Sequence, residues 1–118
     1  VVAFCGDGGF QMTACELATA AEHNIAVVWV VINDGSLSAI RGAQAKTFDG
    51  RVIDTDMQTP HLADLACAMG VRGLRLEPDQ FPAAFAAAVA SQTPTVIEVM
   101  MQDQRDDLIR QVPWLHPD

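Results

Sequence analysis

Residues 1–5 form an unbroken apolar run that ends at Gly6-Asp7-Gly8-Gly9, the pattern of a strand buried on both faces that runs into a glycine turn. A helix is expected next. Thr13 and Glu16 are spaced as a capping box, in which hydroxyl and carboxylate satisfy the first free amides, and the Ala-rich stretch 14–22 continues from it until His23-Asn24. Residues 26–32 are seven apolar positions, four of them valine and none alternating with a polar one, as in a central parallel strand. That run stops at the turn formers Asn33-Asp34-Gly35-Ser36.

A short helix is expected over residues 37–44, followed by a polar, exposed loop over 46–58. Thr59-Pro60 reads as an N-cap and first helical residue, with Gly70 closing that helix. Residues 71–76 give a weaker strand. Asp79 can cap a further helix, with Pro82 in its first turn and residues 83–90 as its body; residues 95–101 are the last strand. Strands alternating with helices at this spacing predict an α/β fold, an open, mainly parallel sheet with helices on both faces. Right-handed crossovers bring the loops after the first two strands to one sheet edge, where open α/β sheets bind ligands.

Half of the 118 residues are hydrophobic, enough for one core, so residues 1–102 are expected to form one domain and 103–118 a charged, Pro-containing extension. The chain opens inside an apolar run without an initiator Met, which reads as a piece of a longer protein with its N-terminal part missing. Seven Lys and Arg stand against 15 Asp and Glu, a net charge of −8 that repels phosphate backbones and anionic membranes; no nucleic-acid or membrane partner is expected. No apolar run approaches the ~20 residues of a membrane span, and no signal peptide is visible. Cys5, Cys15 and Cys67 are odd in number, widely spaced and set among apolar or small residues, which predicts buried thiols and a cytoplasmic protein.

The candidate chemistry lies in two turns. Gly6-Asp7-Gly8-Gly9 offers backbone amides and close approach to an anion, but it fits neither the dinucleotide fingerprint, since Gln11 stands where a third glycine belongs, nor a Walker loop. Taken alone, the motif is equally well read as a glycine turn that Asp7 shapes. Its partner changes that reading. Asp34 ends the next strand 27 residues later, so two carboxylates from neighbouring strand ends can converge on a hard cation such as Mg²⁺, which takes one or two carboxylates together with phosphates.

Gly6-Asp7-Gly8, this interval, and Asn33-Asp34 resemble the motif of thiamine-diphosphate enzymes, Gly-Asp-Gly followed by Asn-Asn. The flanks Gly9-Phe10-Gln11-Met12, Glu16-Leu17-Ala18-Thr19-Ala20 and Leu37-Ser38-Ala39-Ile40-Arg41 are similar to the acetolactate synthase and benzoylformate decarboxylase branch. The resemblance implies the C-terminal, diphosphate-binding domain of an enzyme that decarboxylates or ligates 2-oxo acids with thiamine diphosphate and Mg²⁺. It implies metal ligation by Asp7, Asp34 and the carbonyl of Ser36, diphosphate contacts from Gly6, Gly8 and Gly9, and further cofactor contacts from Leu37, Ser38, Ala39 and Ile40. The Glu that activates the cofactor in this family belongs to a pyrimidine-binding domain of the same or a neighbouring subunit. No residue here matches it, so the chain alone is expected to be inactive and to work within a homodimer or homotetramer. Asp34 departs from the motif's Asn; the side-chain length is kept, the added charge attracts the metal and repels the diphosphate, and coordination is expected to survive.

Two rival readings are a non-catalytic α/β module that holds a metal or phosphorylated ligand for regulation, and a receiver-like signalling domain. The Gly-Asp-Gly to Asn-Asp interval opposes the first; the second lacks an acidic pair after the first strand and a late Lys. His23, His61 and His116 have no partner visible from spacing. Asp54 and Asp56 lack the glycine and terminal Glu of a calcium loop and read as a solvated turn. Glu16 is read as a capping partner, Trp29 and Met100 as core, and Trp114 as a contact to a further segment or subunit.

Overall fold

Three valines and an isoleucine between Val28 and Asn33 have no polar face to offer water, and this strand lies inside the sheet with a neighbour on each side. The structure, a computed structural model, describes residues 1–101. In chain order it contains β1 (Val2–Gly6), α1 (Asp7–Thr13), α2 (Glu16–Glu22), β2 (Val28–Asn33), α3 (Ser38–Thr47), α4 (Leu62–Ala68), β3 (Arg72–Leu76), a 3₁₀ turn (Pro78–Gln80), α5 (Phe81–Ser91) and β4 (Thr95–Met100). The four strands form one parallel sheet in the order β1-β2-β4-β3. Among the described residues no helix is long and apolar enough to cross a membrane.

The strand order decides which face each helix takes. From β1 to β2 and from β2 to β3 the chain steps across the sheet in one direction, and from β3 to β4 it steps back; right-handed crossovers then put α1, α2 and α4 on one face and α5 on the other. The packing follows. Phe10, Ala14, Leu17, Leu62 and Ala66 close over Val31 and Val96, while Ala88, with Phe81 and Phe85 beside it, covers Val28, Val30, Ile97 and Val99. Phe81 and Phe85, one helical turn apart, stack at 5.3 Å.

One close approach depends on a missing side chain. A Cβ at Gly73 would lie 2.0 Å from the carbonyl oxygen of Ala63, so α4 seats its first turn directly on β3. Neither backbone can yield there without moving the helix.

Several local expectations are corrected. β1 is not buried on both faces: it is the edge strand of the described sheet, paired only with β2, and Phe4 is 68 % exposed. Thr13 caps nothing, because helix begins six residues earlier at Asp7 and Thr13 is its last residue; Glu16 instead accepts from the Thr19 hydroxyl at 3.4 Å. The turn before α5 is closed by Glu77 and Gln80 as a capping box, not by Asp79. Cys15 and Cys67 are exposed, since short helices leave small residues on their outer faces, and Cys5 on the edge strand β1 is half-buried. All three thiols are free, and burial pushes the Cys5 thiol above its ordinary range. His23 and His61 take capping positions on α2 and α4, and His61 lies 3.5 Å from Asp64. The expectations for Trp114, His116 and the 103–118 extension fall outside the described residues.

Candidate functional site

Register brings the two motif turns together. Gly6 pairs with Ile32 across β1 and β2, so Asp7, the next residue, stands level with Asn33 where β2 ends. Asp7 opens α1 and is 1 % exposed. Its Oδ1 accepts the Gly8 amide at 2.8 Å, and its Oδ2 accepts the Gly35 amide at 3.1 Å and the Thr59 hydroxyl at 2.7 Å. All three donors are neutral.

The second turn is built around Gly35, whose φ of 66° a side chain would disfavour. Asp34, also buried, accepts the Ser36 amide at 3.0 Å and the Ser38 hydroxyl, folding the turn back on itself ahead of α3. Leu37 reaches across to the first turn: a Cβ at Gly8 would come within 2.7 Å of its Cδ2. Gly6, Asp7, Gly8, Gly9, Asp34, Ser36, Leu37 and Ser38 therefore share one sheet edge, as the motif spacing required. Ala39 and Ile40 follow in the first turn of α3, and both are exposed. The Gly8 amide, expected on an anion, points here at its neighbour's carboxylate.

The segment between α3 and α4 is mostly exposed, as expected, but it is bonded back to α3 and to this edge. Its first half folds onto α3: the Gly50 amide reaches the Ala45 carbonyl, and the Ile53 amide reaches the Gln44 side chain at 2.9 Å. Its second half is tied to the site. The buried Thr55 accepts at its carbonyl from the Ser36 hydroxyl (3.0 Å) and the Leu37 amide (2.8 Å), and the Met57 amide donates to the Gly35 carbonyl at 2.8 Å. Asp56 pairs with Arg41 at 3.2 Å. Thr59 does not cap α4, because its hydroxyl is spent on Asp7 and His61 takes the cap position instead.

Thr59 is thus a site residue that sequence reasoning missed, and 52 residues of separation left no signal of it. Glu98 is another. Its signal was visible: one carboxylate inside the apolar run Val96-Ile97-Glu98-Val99.

Asp7 and Asp34 are buried carboxylates, and burial of a charge is costly without a counter-charge. Among the described residues the ion pairs are Arg41–Asp56, His61–Asp64 and Arg75–Glu98, none of which reaches either group. No three His, Cys, Asp or Glu side chains converge among those residues, so the described residues alone offer no complete metal cage. Two carboxylates with carbonyls nearby are the oxygen set that a hard cation takes when phosphates supply the remaining ligands. There is also room beside the backbone: a Cβ at Gly6 or Gly9 would meet nothing within 4 Å. This donor set and this open glycine turn fit a divalent metal with a diphosphate.

Comparisons with known proteins agree with the geometry. The acetolactate synthase large subunit of Lactococcus lactis is 33% identical over 122 residues, an alignment that takes in 100% of this chain and 21% of that protein. Among solved structures, the thiamine diphosphate-dependent 4-hydroxybenzoylformate decarboxylase of Rhodococcus jostii superposes with a TM-score of 0.76 at 31% identity, over 85% of this chain and 19% of that one. Benzoylformate decarboxylase of Polynucleobacter necessarius shares the fold, with a TM-score of 0.79 at 23% identity over the same share of each chain. The chain therefore spans about a fifth of the length of these relatives. Residues 1–99 match the family described as thiamine pyrophosphate enzyme, C-terminal TPP binding domain, and the chain belongs to that family.

Proposed function

We propose that this chain is the diphosphate- and Mg²⁺-binding part of an enzyme that decarboxylates or ligates 2-oxo acids, in the manner of acetolactate synthase. The observation that supports it most is Asp7: a fully buried carboxylate, held by neutral donors alone, at the start of an open glycine turn. Asp7, Asp34 and the Ser36 carbonyl would hold the metal. The backbone amides of Gly8 and Gly9 would donate to the diphosphate. Leu37, Ser38, Ala39 and Ile40 would line the cofactor beyond the metal. Thiamine diphosphate, when bound, supplies the nucleophilic carbon and the electron sink for loss of carbon dioxide.

The residues described here bind and orient. Gly35 and Thr59 keep Asp7 from rotating, and the bonds from residues 55–57 to the turn at 35–37 restrain the second set of ligands. The Glu that would activate the cofactor comes from a pyrimidine-binding domain of the same or a partner subunit, within a homodimer or homotetramer.

The test uses full-length protein. Calorimetric titration with thiamine diphosphate should show binding in Mg²⁺ that EDTA abolishes, and a panel of 2-oxo acids should release carbon dioxide. Metal-dependent binding without turnover on any member would favour a non-catalytic, regulatory ligand-binding module.

A further inference from the structure

β4 carries one charged residue, the fully buried Glu98, which lies between Ile97 and Val99. A valine there would cost less than a carboxylate, so what the carboxylate touches decides what it is for. Its Oε2 accepts the Ala63 amide at 3.0 Å, its Oε1 accepts Nδ2 of Asn33 at 2.6 Å, and the Arg75 guanidinium stands 3.9 Å from Oε1.

The Asn33 contact reaches the site. A carboxylate only accepts, so the amide of Asn33 must turn its NH₂ to Glu98, which aims its oxygen the other way. That oxygen accepts the Gly35 amide at 3.2 Å, the same amide that reaches Asp7 Oδ2 at 3.1 Å. Glu98 is one hydrogen bond from Asn33, two from the turn that carries Asp34 and Ser36, and three from Asp7.

We propose that Glu98 is a positioning residue for the metal-diphosphate site: by fixing the direction of the Asn33 amide it holds the 33–36 turn in the shape that lets Asp7, Asp34 and Ser36 face one cation. The inference rests on the reading of the site given under Proposed function. It differs from a packing role for Glu98, which would run through Oε2 and Ala63 and would leave the turn alone.

An exchange of functional groups separates the two. In E98Q the introduced amide must set its NH₂ against either Asn33 Nδ2 or the Ala63 amide, or else Asn33 flips and points its own NH₂ at Gly35; each arrangement leaves two donors facing. In N33D/E98Q every bond can re-form with the charge moved along the chain: oxygen to the Ala63 amide, NH₂ to the new carboxylate, carboxylate to the Gly35 amide.

Full-length protein and both variants would be titrated calorimetrically with thiamine diphosphate in Mg²⁺, and melted without cofactor. E98Q should bind roughly tenfold more weakly or worse, about the loss of one hydrogen bond, and N33D/E98Q should return to within about threefold of the parent. A lower melting temperature for E98Q with unchanged affinity assigns Glu98 to packing and overturns the proposal, as does an exchange that binds no better than E98Q. If E98Q does not fold, N33S breaks the same chain while leaving Glu98 on Ala63 and Arg75; its affinity must then fall by a similar factor, and an unchanged value overturns the proposal. A parent protein that shows no metal-dependent binding overturns the site reading itself, and this inference with it.

Discussion

Gly9→Ala should move stability and cofactor affinity in opposite directions. Gly9 lies in the third position of α1, and a Cβ placed on it meets nothing within 4 Å, so the folded protein accepts the methyl without strain. Exchanging glycine for alanine within a helix restricts the unfolded chain and favours folding by about 0.5–1 kcal/mol. For a domain of this size that raises the melting temperature by roughly 2–8 °C. The same methyl fills the space into which the diphosphate is read to come, pushing it from the Gly9 amide. Loss of one charge-assisted hydrogen bond costs about 1.5–3 kcal/mol, which is roughly a ten- to hundredfold weaker Kd. Gly8→Ala is the matched comparison. Its Cβ would come within 2.7 Å of Leu37 Cδ2 and must displace that side chain, so there affinity should fall with a smaller gain in stability than at Gly9, or none. The assays are a melt of the cofactor-free protein and a calorimetric titration with thiamine diphosphate in Mg²⁺. A Gly9→Ala protein that melts higher and binds as tightly as the parent would falsify the placement of the diphosphate against this turn.

Asp34→Asn should keep metal-dependent cofactor binding, because the oxygen proposed as a ligand stays at the same reach; complete loss in the same titration would remove Asp34 from the proposed ligand set. Gly73→Ala should destabilise the fold by about 1–3 kcal/mol or more, since the methyl would sit 2.0 Å from a backbone oxygen, and a melting temperature within a degree of the parent would refute that packing. Thiol labelling should count Cys15 and Cys67 as fast and Cys5 as slow. Because burial raises the Cys5 pKa, its reactive thiolate is scarcer at a given pH than an exposed cysteine's, and its labelling should accelerate only in more alkaline solution; equal rates at pH 8 would contradict this.

What could be read from the sequence, and what could not, divides by the range of the interaction. Strand 28–33 was legible because a run with no polar face has one place to go, inside a covered sheet. Asp7 and Asp34 were legible as a pair because each follows directly from a strand, and neighbouring parallel strands end at one edge. The exposure of β1 was not legible: Val2 and Phe4 look like core residues until the sheet order shows β1 at the edge. Thr13 and Glu16 matched a capping pattern, yet the glycine turn itself started the helix and made the pattern irrelevant. Thr59 was assigned by its neighbour Pro60, although tertiary contact claimed its hydroxyl for Asp7. Glu98 announced itself by being charged in an apolar strand, but its partners come from 65 and 35 residues away and only the fold could name them.

The segment between α3 and α4 has a consequence for how relatives of this chain can diverge. Its first half, residues 48–54, bonds to α3 and to itself, whereas its second half, residues 55–59, is fastened to both motif turns. Insertions and new side chains before Thr55 are absorbed locally, while a residue gained or lost after it would pull on Gly35 or on Asp7. The first half can vary, and the second half must keep its length.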